Sequence, residues 1–285
     1  MKRRFVAAAA LPSDAEIALN FWRIPFSPQA DGSLLVKGDL HISGRCPEKL
    51  PDLSMVVVEG SFDCSGNQLA SLEGAPTTVG KDFRCQDNKL TTLQGSPAKI
   101  RGTFDCGRNK LKSLAGGPSC VHNFFCHENR LTTLEYAPSE VTGTFNCADN
   151  KIRSLKGAPE KVGRDFWCYN NALTSLEGAP TEVPGGFLCG NNKLTSLDYG
   201  PQTKSDMYVC KGNRLRSLDA APEKIRRLAT DFGTYTSLEQ VPQHLRAERG
   251  VIVRAGVPLP PEIRSAIVLD HALNVGKPLA LCKRR

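Results

Sequence analysis

The side chains of this chain that could do chemistry begin with a tight group of thiols and imidazoles. Cys120, His122, Cys126 and His127 fall within eight residues. Such donors hold zinc when four of them converge tetrahedrally. On an extended strand, neighbouring side chains point to opposite faces, so Cys126 and His127 diverge and no metal is expected. A further thiol, Cys282, precedes Lys283-Arg284-Arg285. Basic neighbours lower a thiol pKa, but no residue nearby could act as its base. The chain has no G-x-S-x-G, no H-E-x-x-H and no phosphate-cradling glycine loop with its lysine. Catalysis is not expected, and neither is a cofactor.

The remaining cysteines explain themselves by spacing. Cys64, Cys85, Cys106, Cys126, Cys147, Cys168, Cys189 and Cys210 follow one another at steps of 20 or 21 residues. Two positions before each stands an aromatic: Phe62, Phe83, Phe104, Phe124, Phe145, Phe166, Phe187 and Tyr208. Three positions after each stands an asparagine, from Asn67 to Asn213. Two aliphatics such as Leu69 and Leu72 follow, then a proline such as Pro76. A fixed period in the twenties is the signature of a solenoid. Aromatic and cysteine, two apart on a strand, both face inward. The asparagine amide is suited to satisfying turn backbone groups. Gly-Ala-Pro bends the chain. A Val or Ile (Val79 to Val183, then Ile225) closes the circuit; Lys204 breaks that column, which predicts a looser turn over 203–206.

The pattern F-x-C-x-x-N-x-L resembles the L-x-L-x-x-N-x-L core of the leucine-rich-repeat superfamily, over roughly residues 36–242. With Cys in the strand and G-A-P behind the second Leu, it is similar to small repeat proteins of tailed phages and bacteria. It is also similar to arrays of bacterial effectors. The resemblance implies an α/β-type leucine-rich-repeat solenoid: a right-handed superhelix of nine or ten strands. Its parallel β-sheet would lie on the concave face, opposite an extended or 3₁₀ outer face, with short helical caps. It also implies protein–protein recognition. Some similar effectors carry a ubiquitin-ligase domain, for which the 43 residues 243–285 are too few.

Three segments are expected: an N-terminal cap over 1–35, repeats over 36–242 with eight regular turns in 59–222, and a C-terminal cap with a basic tail over 243–285. In the first, Ser13 and Glu16 have capping-box spacing, which predicts a helix over 14–22 whose Ile17, Leu19, Phe21 and Trp22 cover the open end of the array. Leu40 and Ile42 form a degenerate first strand. Leu228 to Pro242 form an eroded last turn, and Ile263, Ala266 and Ile267 have the spacing of a short helix.

The net charge of +8 is unevenly placed. Lys+Arg minus Asp+Glu is 7 − 6 over residues 1–58, 19 − 17 over 59–222 and 11 − 6 over 223–285. A nearly neutral array argues against a nucleic-acid clamp. Stacked cysteines on strands about 4.8 Å apart are too far apart for disulfides, which want Cβ atoms nearer 3.8 Å. The column therefore reads as reduced thiols in a reducing compartment, a bacterial cytoplasm or a host cell. No apolar run is long enough for a membrane span. The opening Lys2-Arg3-Arg4 and alanine run imitates a signal peptide too short to be expected as one.

Binding is expected on the outward strand positions. The first three repeats present charged and polar residues there. Later ones present Phe125, Trp167, Tyr169, Leu188, Met207 and Val209, an apolar patch suited to a protein partner. A second column, Lys89, Lys110, Arg130, Lys151, Lys193 and Arg214, forms a basic ridge that nucleic acid or an anionic surface could track, though nearby carboxylates neutralise much of it.

Overall fold

A computed structural model describes residues 12–45, 48–203, 205–216, 218, 220–222, 228–230 and 251–253. The first eleven residues, Lys204, Ile225 and the expected C-terminal helix lie outside that set.

Each aromatic-x-cysteine segment forms a strand of two or three residues, and the strands stack in the order of the chain. These eight, Phe62–Asp63, Phe83–Arg84, Thr103–Asp105, Asn123–Phe125, Phe145–Asn146, Phe166–Trp167, Gly186–Leu188 and Met207–Val209, join Leu40–His41, Leu228–Thr230 and Val251–Val253 in one parallel sheet of eleven strands. Register is strict: Phe62 pairs with Phe83, Phe83 with Phe104, and Phe166 with Phe187. Sequence columns therefore become spatial columns. The result is a largely parallel β-solenoid with little helix, consistent with a leucine-rich-repeat-like fold. It runs further than the sequence predicts. The β-branched run Val251-Ile252-Val253 adds an eleventh strand within the stretch expected as a cap.

The inward columns make the core. Phe62, Phe83, Phe104, Phe124, Phe145, Phe166 and Phe187 are fully buried and follow one another at centroid distances of 5.2–5.7 Å. Tyr208 continues the stack, and its hydroxyl has no hydrogen-bond partner among the described residues. The cysteines of the ladder are buried, and no disulfide joins them. Burial pushes the thiols from Cys85 to Cys189 well above the ordinary range, so they stay protonated and fill space as small apolar groups.

The asparagine column joins consecutive repeats. Asn88 Nδ2 donates to the carbonyls of Cys64 and Cys85 at 3.0 and 3.2 Å, while its Oδ1 accepts from Leu69 N–H at 3.0 Å. Asn129 does the same with Cys106, Cys126 and Leu111. The bridging recurs through Asn213, whose Oδ1 accepts from Leu194 N–H. Each amide thus satisfies buried backbone groups of its own repeat and of the one before.

At the N-terminus the helix spans Asp14–Phe21 and carries the complete Ser13–Glu16 capping box. Its contact with the array is narrower than the sequence suggests. Leu19 is fully buried and Trp22 packs on the core, but Ile17 and Phe21 are 54% and 82% exposed, because one helical face cannot turn all four inward. Ser27–Pro28 pairs antiparallel with Leu34–Val36, which begins a second, short sheet through Val56–Val58 and Thr78–Val79. Cys120–Val121, Glu140–Val141 and Lys161–Val162 form a third. Val79, Val121, Val141 and Val162 of the column that closes the circuit are therefore themselves in strands. At 203–206, Ser205 is fully buried, and its Oγ lies 2.8 Å from the carbonyl oxygen of Gly185 and 3.1 Å from that of Met207.

Two stability outcomes follow from the core. Asn129→Ala orphans buried backbone groups and should destabilise the protein by about 2–4 kcal/mol. Asn129→Asp should be no milder, because a carboxylate cannot donate to the two carbonyls. Urea denaturation reads both. Tyr208→Phe removes an unpaired buried hydroxyl and should leave stability unchanged or raise it by about 1 kcal/mol, visible as an equal or higher melting temperature.

Candidate functional site

The side of the main sheet opposite the phenylalanine ladder is divided along its length. In the later repeats, Ala148, Tyr169, Leu188 and Val209 form an apolar cluster of their own, separate from the core, with Trp167 and Met207 packed against it. Strand pairing explains this: Trp167 lies beside Leu188, and Leu188 beside Val209. Gly186 and Gly190 leave space that neighbours fill. A Cβ on Gly186 would stand 2.9 Å from Leu188 Cδ1 and 3.6 Å from Met207 Cε, and one on Gly190 would stand 3.6 Å from Val209 Cγ1.

Of the six residues predicted for this patch, five come together and Phe125 stands apart. It is half-buried and separated from Trp167 by the strand carrying Asn146. The open patch read from the sequence is also more closed than expected: Leu188 is 1% exposed, Val209 4% and Tyr169 8%. Trp167 and Met207 are the partly accessible members. Side chains on strands about 4.8 Å apart shield one another, which residue type alone does not reveal.

The earlier repeats carry charge. Arg84 donates to Asp82 at 2.7 Å, and Arg108 is held by both carboxylate oxygens of Asp87. His41 sits between Asp39 and Asp63 at 3.7 and 3.8 Å. Three side chains at one outward position also serve the backbone: Asp63 accepts from Ser65 N–H, Asp105 from Gly107 N–H and Asn146 from Ala148 N–H, at 2.9–3.0 Å. Asp105 forms no ion pair among the described residues. Burial holds its carboxyl above the ordinary value of 3.8, against the opposing effects of the Gly107 hydrogen bond and of nearby His127 and Arg108.

The imidazole of His127 occupies the space left by Gly107, on the open face, while Cys126 is sealed in the core. His122 and Cys120 are exposed, and His122 Nδ1 lies 2.8 Å from Thr142 Oγ1. The four candidate ligands thus diverge, and no group of three or more such side chains is placed to hold a metal among the described residues.

The basic ridge lies on the loop after the strands. Lys89, Lys110, Arg130, Lys151, Lys193 and Arg214 each donate a backbone N–H to a leucine carbonyl of the preceding repeat. Their side chains are exposed, apart from the half-buried Lys110. Lys112, Arg130, Thr132 and Lys151 line one recess there.

Sequence reasoning missed a backbone feature beside this surface. The second residue after each ladder cysteine has a positive φ: Gly66, Asp87, Arg108, Glu128, Asp149, Asn170, Asn191 and Gly212, at 51–73°. The signal was present in the Gly, Asp and Asn of that column, the residues that best tolerate this conformation. Tyr136 and Tyr199 are comparable exceptions in the Gly-Ala-Pro loop, with φ of 66° and 65° and about 70% exposure where most repeats have glycine.

No protein-family model and no curated protein matches the chain. Among solved structures, the chain is similar to YopM from Yersinia enterocolitica WA-314, at 22% identity and a TM-score of 0.50 over 64% of this chain and 40% of that one. It also matches the functional domain of InlJ from Listeria monocytogenes, whose structure includes a cysteine ladder, at 21% identity and a TM-score of 0.46 over 75% of this chain and 55% of that one. The chain therefore spans about half the length of these proteins or less, and the first likeness bears on fold alone.

The raised pKa of Asp105 gives a stability test. A carboxyl whose folded pKa is raised binds its proton more tightly in the folded state, so ionising it opposes folding. The penalty is absent below 3.8, grows as pH rises toward the folded pKa and is constant above it. Asp105→Asn keeps the Gly107 hydrogen bond, as Asn146 shows at the equivalent position. The variant should match wild type near pH 3 and be more stable at pH 7, by urea denaturation at each pH.

Proposed function

We propose that this chain is a protein-binding module that takes its partner on the open face of the main sheet, around Phe125, Trp167 and Tyr169. The observation that carries this reading is that Trp167 and Met207 stay partly accessible on the apolar cluster of Ala148, Tyr169, Leu188 and Val209. It lies on the side of the sheet that the core does not use. Partly accessible apolar side chains on such a face are the composition of a recognition surface. Trp167 and Tyr169 are the side-chain types that anchor such contacts. The unbridged cysteines suit a reducing cytoplasm, bacterial or that of a host cell, as for a phage-encoded protein or an effector.

The recess lined by Lys112, Arg130, Thr132 and Lys151 favours a second reading, in which nucleic acid or an anionic surface follows the ridge. Binding dominated by that contact would weaken steeply with salt, whereas an apolar contact would not.

The test is affinity capture from lysate of the native host cell, comparing wild type with a Phe125→Ala/Trp167→Ala variant of unchanged melting temperature. A protein retained by wild type and lost by the variant is the expected outcome. Identical captures would overturn the open-face reading, and loss of both captures in high salt would move the site to the ridge.

A further inference from the structure

Two basic columns meet on the loop that follows the strands. One is the ridge with Arg130 and Lys151; the other, two residues further along each repeat, carries Lys112. Lys112, Arg130 and Lys151 come from three consecutive repeats and line one recess with Thr132, and no carboxylate shares that lining. All four side chains are exposed, and the three cations form no ion pair among the described residues. The acids nearest to Arg130 and Lys151 in sequence are engaged elsewhere. Asp149 Oδ1 accepts from Asn170 Nδ2 at 2.7 Å, Glu128 lies near Arg108, and Glu135 lines a neighbouring recess with Arg153 and Lys156. The fold itself does not ask for the cations. Ala172 makes the same backbone bond to the preceding repeat as Arg130 and Lys151 do, at 2.9 Å in all three, and Thr132 and Thr174 stand where Lys112 stands in its repeat. Three like charges within two repeat steps of about 4.8 Å repel one another.

We propose that this recess is a binding site for a compact phosphate dianion, the phosphoryl group of a phosphomonoester or a pyrophosphate. The inference rests on the ridge reading above and narrows it from a track to one point; it does not depend on the open face. The planar guanidinium of Arg130 can donate to two phosphate oxygens at once, Lys112 and Lys151 add point charges, and the Thr132 hydroxyl supplies a further donor. The charge is focal. Ala172 follows Lys151 in the ridge, and on the other side Lys89 Nζ donates to Gln68 Oε1 at 2.7 Å. A long polyanion gains from contacts repeated along its length, whereas a compact dianion gains from cations converging at one place. A free phosphorylated small molecule and a lipid headgroup present the same dianion.

The experiment uses the full chain. Pyrophosphate is titrated calorimetrically at fixed ionic strength into wild type, Arg130→Gln, Lys151→Gln and Lys161→Gln, the last on the exposed end of a short strand outside the recess. Saturable binding of one pyrophosphate is expected, about tenfold weaker in each of the first two variants, as for one lost charge-assisted hydrogen bond, and unchanged in Lys161→Gln. All melting temperatures should match wild type. Flotation with phosphatidylcholine vesicles containing phosphatidic acid or phosphatidylserine identifies the source. Retention on phosphatidic acid alone, lost in Arg130→Gln, assigns a lipid headgroup; pyrophosphate binding without retention assigns a free ligand. Equal retention on phosphatidylserine overturns the phosphomonoester. If neither pyrophosphate nor phosphatidic acid binds, the site is wrong, and a 20-nucleotide single strand then decides the reading beneath it. Binding of that strand weakened as much by Lys193→Gln as by Arg130→Gln leaves the ridge reading standing, and no binding overturns both.

Discussion

Each repeat of this protein is completed by a side chain from the next. The leucine N–H that enters the core after one strand is buried, and its acceptor is the asparagine Oδ1 of the following repeat. The same amide donates back to the cysteine carbonyls of both repeats. A backbone group sealed in an apolar interior without a partner is expensive, so this bridge decides which stackings are possible. Phenylalanine can stack on phenylalanine at 5.4 Å only because the repeats are held in register. The eight thiols fall into line for the same reason. Stability in such an architecture is a sum of repeat and neighbour terms, and the asparagines supply the directional part of the neighbour term.

With the interior assigned to fixed columns, the outward positions are left to vary, and they vary in order. Charges sit in the early repeats and apolar groups in the later ones, on the same structural positions. Asp105 and Asn146 show that the backbone duty of one such position is compatible with either charge state. Their surroundings differ: Asp105 lies near Arg108 and His127, whereas Asn146 lies beside Trp167 at the edge of the apolar cluster. Tyr136 and Tyr199 make a similar point on the loops. Each holds a left-handed backbone that glycine would adopt without strain, and each is about 70% exposed.

The inward half of this molecule was legible in the sequence. The Phe, Cys, Asn and Leu columns repeat at a constant step, and a parallel sheet with strict register converts that step directly into contact. The outward half was legible in position but not in burial. Trp167, Leu188 and Val209 follow one another at one strand position, but their shielding depends on how neighbouring side chains lean over Gly186 and Gly190, which is a property of three adjacent strands together. Phe125 was grouped with them by residue type, and the intervening Asn146 strand separates them. The eleventh strand, Val251–Val253, escaped notice because it carries neither the aromatic nor the cysteine of the repeat. Its only signal was a short β-branched run.

The asparagine bridge also gives the array a direction in time. A ribosome delivers the chain from the N-terminus, so when a repeat emerges its leucine N–H has no acceptor until the asparagine about 19 residues later has followed. Each repeat is thus sealed by its successor, and the growing end of the solenoid is always one unit behind the nascent chain. The sealed part lengthens by whole repeats, and the thiols it encloses pass out of reach of oxidants one at a time, in the order in which they were made.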